Sequence, residues 1–301
     1  MEVHQLRYFC AVARQGTFTR ASEAQHVTQP SLSQQILKLE AELGAKLFDR
    51  LPRSANLTVF GKAFLPKAER ILRELEDAKT EMLEMTGEEK GEVVLGVIPT
   101  IAAYLLPKVL TGFSLEHPLV QIRVVEEITP VMLERLHQGS IDLAIAALPV
   151  AGAELCSVEL FAERFFAVVS EGHPRARQKS LRLAELRDDP FLLLKEGHCF
   201  RYHLIAACRE SGARPTVAFE SGQFSTILAM VSAGMGVSAV PAMAVQPVPG
   251  CRFIPIRGKR SVRKIGMIRL RHHFETRAQH ALANHIMETT RGASAWHSAA
   301  G

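Results

Sequence analysis

The sequence predicts a mixed α/β protein in two parts, a small helical N-terminal unit and a larger α/β domain, joined by one long helix. Three observations predict it. Apolar residues recur at helical spacing three times before Gly44, a heptad stripe runs from Phe64 to Met85, and from Glu92 onward short apolar runs alternate with helical segments. A chain of 301 residues has room for two cores, and 47% hydrophobic with 22% charged residues is the composition of an ordinary folded protein.

The first helix carries Leu6, Phe9, Cys10 and Ala13 on one face and stops at Gly16, a residue suited to a helix C-terminus. Thr17 can cap the second, whose apolar face is Phe18, Ala21 and Ala24, before His26 and Val27 turn the chain. The third takes Thr28 as its cap, tolerates Pro30 in its first turn, and runs through Leu32, Ile36, Leu39 and Leu43 to Gly44. Two helices joined by a short turn, the second opening on small polar residues, are what a reader of the DNA major groove needs. Thr28, Gln29, Pro30, Ser31, Ser33, Gln34 and Gln35 are therefore candidates for the DNA-facing surface. Gln pairs bidentately with adenine, and Ser and Thr reach bases or phosphates. Lys38, Arg50 and Arg53 suit phosphate contacts. Periodicity alone fits a plain three-helix bundle equally well.

A long helix is expected from Thr58 to Met85, with Phe64, Ala68, Ile71, Leu75, Ala78, Met82 and Met85 spaced alternately by four and three. That is a heptad seam along which two copies could pair, and the same stripe could instead pack on the chain's own body. Residues 86–91 (TGEEKG) read as a hinge. Beyond it EVVLGV, QIRVVEE, IDLAIAAL, FFAVVS, FLLL, TVAF, GVSAV, RFIPI and KIGMIRL read as strands. Helices are expected near 101–116, 130–138, 199–211, 223–234 and 275–290, and the small polar tail GASAWHSAAG as disordered.

No phosphate-binding glycine loop, HExxH, paired CxxC or GxSxG occurs, so no enzyme and no cofactor are expected. The absence of a long apolar run and of a secretion signal predicts a cytoplasmic protein with no membrane partner. Five cysteines, Cys10, Cys156, Cys199, Cys208 and Cys251, fit a reducing compartment. The formal charge of +5 permits nucleic-acid binding without specifying it. Cys199 follows Gly197 and His198 at an expected helix start, where backbone N–H groups and the helix dipole favour a thiolate, and a cationic His198 would favour it further. Cys208 lies nine residues on, about 13–14 Å along a continuous helix and on its opposite face, so a disulfide between the two would require the helix to unwind. Two buried structural cysteines, or a metal site of His198, Cys199, His203 and Cys208, are competing readings.

The stretch LRYFCAVARQGTFTRASEAQHVTQPSLSQQILKLEAELGAKLFDR resembles the N-terminal domain of LysR-type transcriptional regulators. The resemblance implies a winged helix-turn-helix over 1–59, a linker or dimerisation helix and hinge over 60–90, and a regulatory domain over 91–301. It implies that this domain has two subdomains like those of periplasmic binding proteins, the first about 91–163 and 268–301, the second about 164–267. LPRSANLTVFGKAFL stands where the family carries a more basic wing. GHCFR with a cysteine nine positions after Cys199, and GVIPTIAAYLLP upstream, resemble the hydrogen-peroxide-sensing OxyR branch. That implies Cys199 as the peroxide-reactive thiol, Cys208 as its resolving partner, and Thr100, Thr129 and His198 as groups that bind or polarise peroxide. Arg263, in VRKIGMI, matches a basic position of the same pocket. Tyr202 and His203 depart from the acidic and amide residues the branch often carries there. The partners implied are promoter DNA, hydrogen peroxide, RNA polymerase and further copies of the chain, as a dimer or dimer of dimers. The alternative is a LysR-type regulator responding to a small organic anion in the cleft. A thiol peroxidase is a third reading.

Overall fold

The computed structural model describes residues 1–51, 54–84, 91–258, 261–271 and 273–291. Arg53, Met85, the hinge at 86–90 and the tail lie outside them, as does the side chain of Arg50. The chain divides into two compact units, the first Met1–Gly87 with His137–Gly139, the second Glu88–Leu136 with Ser140–Gly301.

In the first unit, helix α1 (Val3–Gln15) ends on Gly16 in the left-handed conformation at φ 69°. Helix α2 (Phe18–Ala24) is capped by Thr17, whose side chain accepts the Arg20 N–H. Helix α3 (Gln29–Leu43) is capped by Thr28 and stops at left-handed Gly44. Leu6, Phe9, Val12, Ala21, Leu32, Ile36 and Leu39 close the core between them. A short antiparallel hairpin follows, β1 (Phe48–Leu51) with β2 (Ser54–Leu57), placing Arg50 opposite Ala55. The buried Glu40 carboxylate anchors it by accepting the Leu47 N–H at 2.8 Å and the Phe48 N–H at 3.2 Å.

Helix α4 (Val59–Glu84) starts where the Thr58 hydroxyl accepts the Gly61 N–H. Gly61 is required there, because a Cβ would collide with the Leu47 carbonyl oxygen. The heptad stripe divides in use. Phe64 packs on Phe9, and Ala68 is buried in the three-helix core, while Ile71, Ala78 and Met82 are exposed and Leu75 is partly so. The first two expected pairing positions thus serve the chain's own body.

The second unit holds a seven-stranded sheet in the order β10–β6–β11–β5–β3–β4, with β9 also paired to β6. Its strands are β3 (Gly91–Val97), β4 (Val120–Glu126), β5 (Leu143–Leu148), β6 (Leu155–Ser170), β9 (Ser238–Pro241), β10 (Cys251–Pro255) and β11 (Val262–Leu270). A separate parallel pair joins β7 (Pro190–Leu194) to β8 (Thr216–Ser221). Helices α5 (Pro99–Glu116), α6 (Thr129–His137) and α9 (Arg277–Arg291) belong with the first half of this unit, α7 (Cys199–Glu210) and α8 (Phe224–Ser232) with the second.

Two cores result, one running from Val93 to Phe161 plus Ile265 to Ile286, the other from Phe165 to Ile256. Strand β6 serves both. The expected strand from Phe165 is only its second half, and its first half, Leu155–Arg164, pairs with β11. Ile265, Met267 and Ile268 of β11 all pack in the first core, and β11 pairs with β5 from Lys264.

Candidate functional site

The exposed face of α3 presents Thr28, Gln29, Pro30, Ser31, Gln34 and Lys38, and Ser33 is partly buried. Gln35 does not join them. Its Oε1 accepts a hydrogen bond from Gln5 Nε2 at 3.1 Å, which ties α3 to α1 and commits it to the bundle. Among these residues only Lys38 carries a charge.

In the second unit three helix starts converge on one niche. Ile98, Pro99 and Thr100 from the start of α5, Ile128 and Thr129 from the start of α6, and Gly197, His198 and Cys199 from the start of α7 line it closely, with no room left in this state for a water-sized molecule. Neither Ile98 nor His198 caps its helix through a side chain, and Pro99 and Pro130 bring no N–H to the first turns of α5 and α6. The N-terminus of each helix carries the positive end of its dipole. Cys199 is the first residue of α7, partly exposed and packed against the first core. Gly197, at φ 92°, lets the loop pass close to Ile128, which a Cβ would meet at 2.9 Å.

Three polar side-chain atoms of the elements around the niche lack partners. Among the described residues, Thr129 Oγ1 and His198 Nδ1 are buried without a hydrogen bond, as is His203 Nδ1. Buried polar atoms without a partner are uncommon. The His198 ring is partly buried. Burial lowers its pKa, with Glu126 opposing only in part, so the ring is neutral near neutral pH. Neutral His198 offers one donor and one acceptor.

Arg263 sits behind Thr100, its side chain wholly buried. Its Nη1 donates to Thr100 Oγ1 at 2.8 Å and its Nη2 to the Thr100 carbonyl at 3.2 Å. Its Nε donates to Glu163 Oε1 at 2.8 Å, and the guanidinium lies 5.3 Å from the Phe200 ring centre. Glu163 also accepts the Met243 N–H, at 3.0 Å. Glu163 was not expected from sequence: a lone glutamate between two apolar runs reads as a surface residue.

Cys208 is fully buried in the second core, and burial pushes its thiol up to about 12. Helix α7 is unbroken from Cys199 to Glu210, and all five cysteines are free thiols. The two sulfurs are therefore far apart in this state, by the helix geometry alone. Tyr202 is 56% exposed and its hydroxyl accepts the Gly197 N–H at 3.4 Å. Among the described residues no three His, Cys, Asp or Glu side chains are grouped to hold a metal, so His198, Cys199, His203 and Cys208 are not brought together as ligands. No described helix is long and apolar enough to cross a membrane.

Residues 3–62 match the family model described as the bacterial regulatory helix-turn-helix protein, lysR family, and residues 86–291 match the LysR substrate binding domain. The chain is 34% identical over 272 residues to the DNA-binding transcriptional dual regulator OxyR of Escherichia coli (strain K12), covering 89% of each. It is also 34% identical over 277 residues to the HTH-type transcriptional regulator YcgK of Bacillus subtilis (strain 168), covering 85% of each. Full-length OxyR C199D from Pseudomonas aeruginosa is a structural neighbour with a TM-score of 0.77 and 30% identity, over 97% of each chain.

Proposed function

The chain belongs to the LysR family of bacterial transcription regulators, a non-enzyme family, and on that premise we propose that its hold on promoter DNA is switched by hydrogen peroxide through a reversible Cys199–Cys208 disulfide. The observation that carries this reading is the niche. A partly exposed cysteine stands where three helix starts meet, beside unpartnered Thr129 Oγ1 and His198 Nδ1. The thiolate sulfur attacks one peroxide oxygen and the O–O bond breaks. Cys199 becomes a sulfenic acid, and the departing hydroxide takes up a proton to leave as water. The Cys208 thiol then attacks the sulfenic sulfur, forming the S–S bond and releasing a second water. Thr100, Thr129 and neutral His198 supply the hydrogen bonds that hold and polarise the peroxide.

Pairing along Ile71, Leu75, Ala78 and Met82 would present two α3 helices to paired half-sites. The test is a promoter footprint with and without near-stoichiometric peroxide. The wild-type footprint is expected to change and that of Cys199→Ser to stay fixed. A footprint that ignores peroxide but shifts with a small carboxylate would establish the organic-anion reading instead.

A further inference from the structure

We infer that Glu163 is a positioning residue for the Cys199 niche, acting through Arg263 to turn the Thr100 hydroxyl into a hydrogen-bond donor aimed at the reacting atoms. The inference rests on the reading that Cys199 is the reacting thiol.

The geometry begins in the sheet. Glu163 on β6 and Arg263 on β11 are direct partners across the antiparallel ladder, so the backbone itself sets the two side chains side by side. Both are withdrawn from solvent completely. Two contacts, Arg263 Nε to Glu163 Oε1 at 2.8 Å and Nη2 to the same oxygen at 2.7 Å, fix the plane of the guanidinium. The second carboxylate oxygen is pinned by the Met243 N–H. With that plane fixed, Nη1 points at Thr100 Oγ1 and Nη2 at the Thr100 carbonyl.

A guanidinium only donates. Thr100 Oγ1, once it accepts from Arg263, has its own proton to place elsewhere, and Thr100 lines the niche. The hydroxyl proton is thereby directed toward the thiolate or the peroxide oxygen. Without Glu163 the guanidinium keeps only its bonds to Thr100 and its place by Phe200, so its plane and the aim of the Thr100 proton are less tightly set. The carboxylate also neutralises the buried guanidinium, so what reaches the niche is a directed hydrogen bond rather than an unpaired charge.

The experiment is a double-mutant cycle on the full chain, reduced, with the rate of Cys199 modification read for two electrophiles, hydrogen peroxide and iodoacetamide. Glu163→Gln and Thr100→Val should each change the Cys199 rate several-fold, and the double variant should be no worse than Thr100→Val alone, because the two residues act as one unit. A purely structural role for Glu163 would give independent, multiplicative effects. Should Glu163→Gln fail to fold, the pair Glu163→Leu with Arg263→Met removes both charges together and is expected to react at the Thr100→Val rate. Additive effects, or a Glu163→Gln rate equal to wild type with both electrophiles, would overturn the inference. If the wild-type thiol is no faster with peroxide than a free cysteine, the peroxide reading fails by itself, and the iodoacetamide cycle still decides the role of Glu163.

Discussion

Joining Cys199 to Cys208 is expected to dismantle α7. The nine-residue separation carries the Cα atoms about 13–14 Å apart along the axis at about 1.5 Å per residue, and a disulfide tolerates at most about 6.8 Å. About 7 Å must therefore be closed, which no bending of an intact 12-residue helix supplies. Unwinding lifts Phe200 and Leu204, 1% and 2% exposed, out of the second core along with Cys208. Exposing two such side chains costs about 3–6 kcal/mol, a cost the two-electron reduction of peroxide readily exceeds. Amide hydrogen exchange on reduced and peroxide-treated protein reads this directly. Protection over 199–210 should collapse on oxidation, while α5 and α9 in the first core keep theirs. An oxidised protein that carries the disulfide and still protects the α7 amides would refute the geometric reasoning.

Other expectations follow from the same contacts. Arg263→Met strands the buried Glu163 carboxylate and should lower stability by about 3–5 kcal/mol in denaturant melts of the reduced protein; a loss under about 1 kcal/mol would contradict a buried, paired network. Gln34→Ala should cost about 1–3 kcal/mol at an adenine-bearing position only, whereas Lys38→Ala should weaken all sequences alike and reduce the salt slope by about one. Gln35→Ala should leave base preference intact and show up as a lower melting temperature. Burial pushes the thiols of Cys10 and Cys208 up to about 12 from the ordinary 9.0. Above that ordinary value the unfolded chain has lost protons the folded chain retains, so their stabilising effect is complete below about pH 9 and is lost as pH rises toward 12. Melts across that range should show Cys208→Ala flattening the decline.

Much of the fold could be read from local chemistry. Thr17 and Thr28 capped the expected helices, Gly16 and Gly44 ended them, and the apolar runs after Glu92 became strands, because caps and periodicity are properties of neighbouring residues. Strand β6 was half missed since Cys156, Ser157 and Glu159 interrupt its apolar pattern, and Ser157, Val158 and Glu159 are all exposed. Gln35 sits between Leu32 and Ile36 on the inward side of α3, a helical-wheel signal that could have removed it from the DNA-facing set. The site was legible in its parts and not in its wiring. Arg263 and Thr100 are 163 residues apart and Glu163 is 100 from Arg263, so only the sheet register joins them. The His198 shift is hidden for a related reason: burial, which the neighbouring sequence does not display, lowers its pKa.

The measurement closest to the central claim is a mass-spectrometric map of the five cysteines after near-stoichiometric peroxide. The account predicts the loss of two thiols and a peptide pair linked Cys199–Cys208, with Cys10, Cys156 and Cys251 still free. Survival of both Cys199 and Cys208 as thiols, or a linkage of Cys199 to any other cysteine, would contradict it.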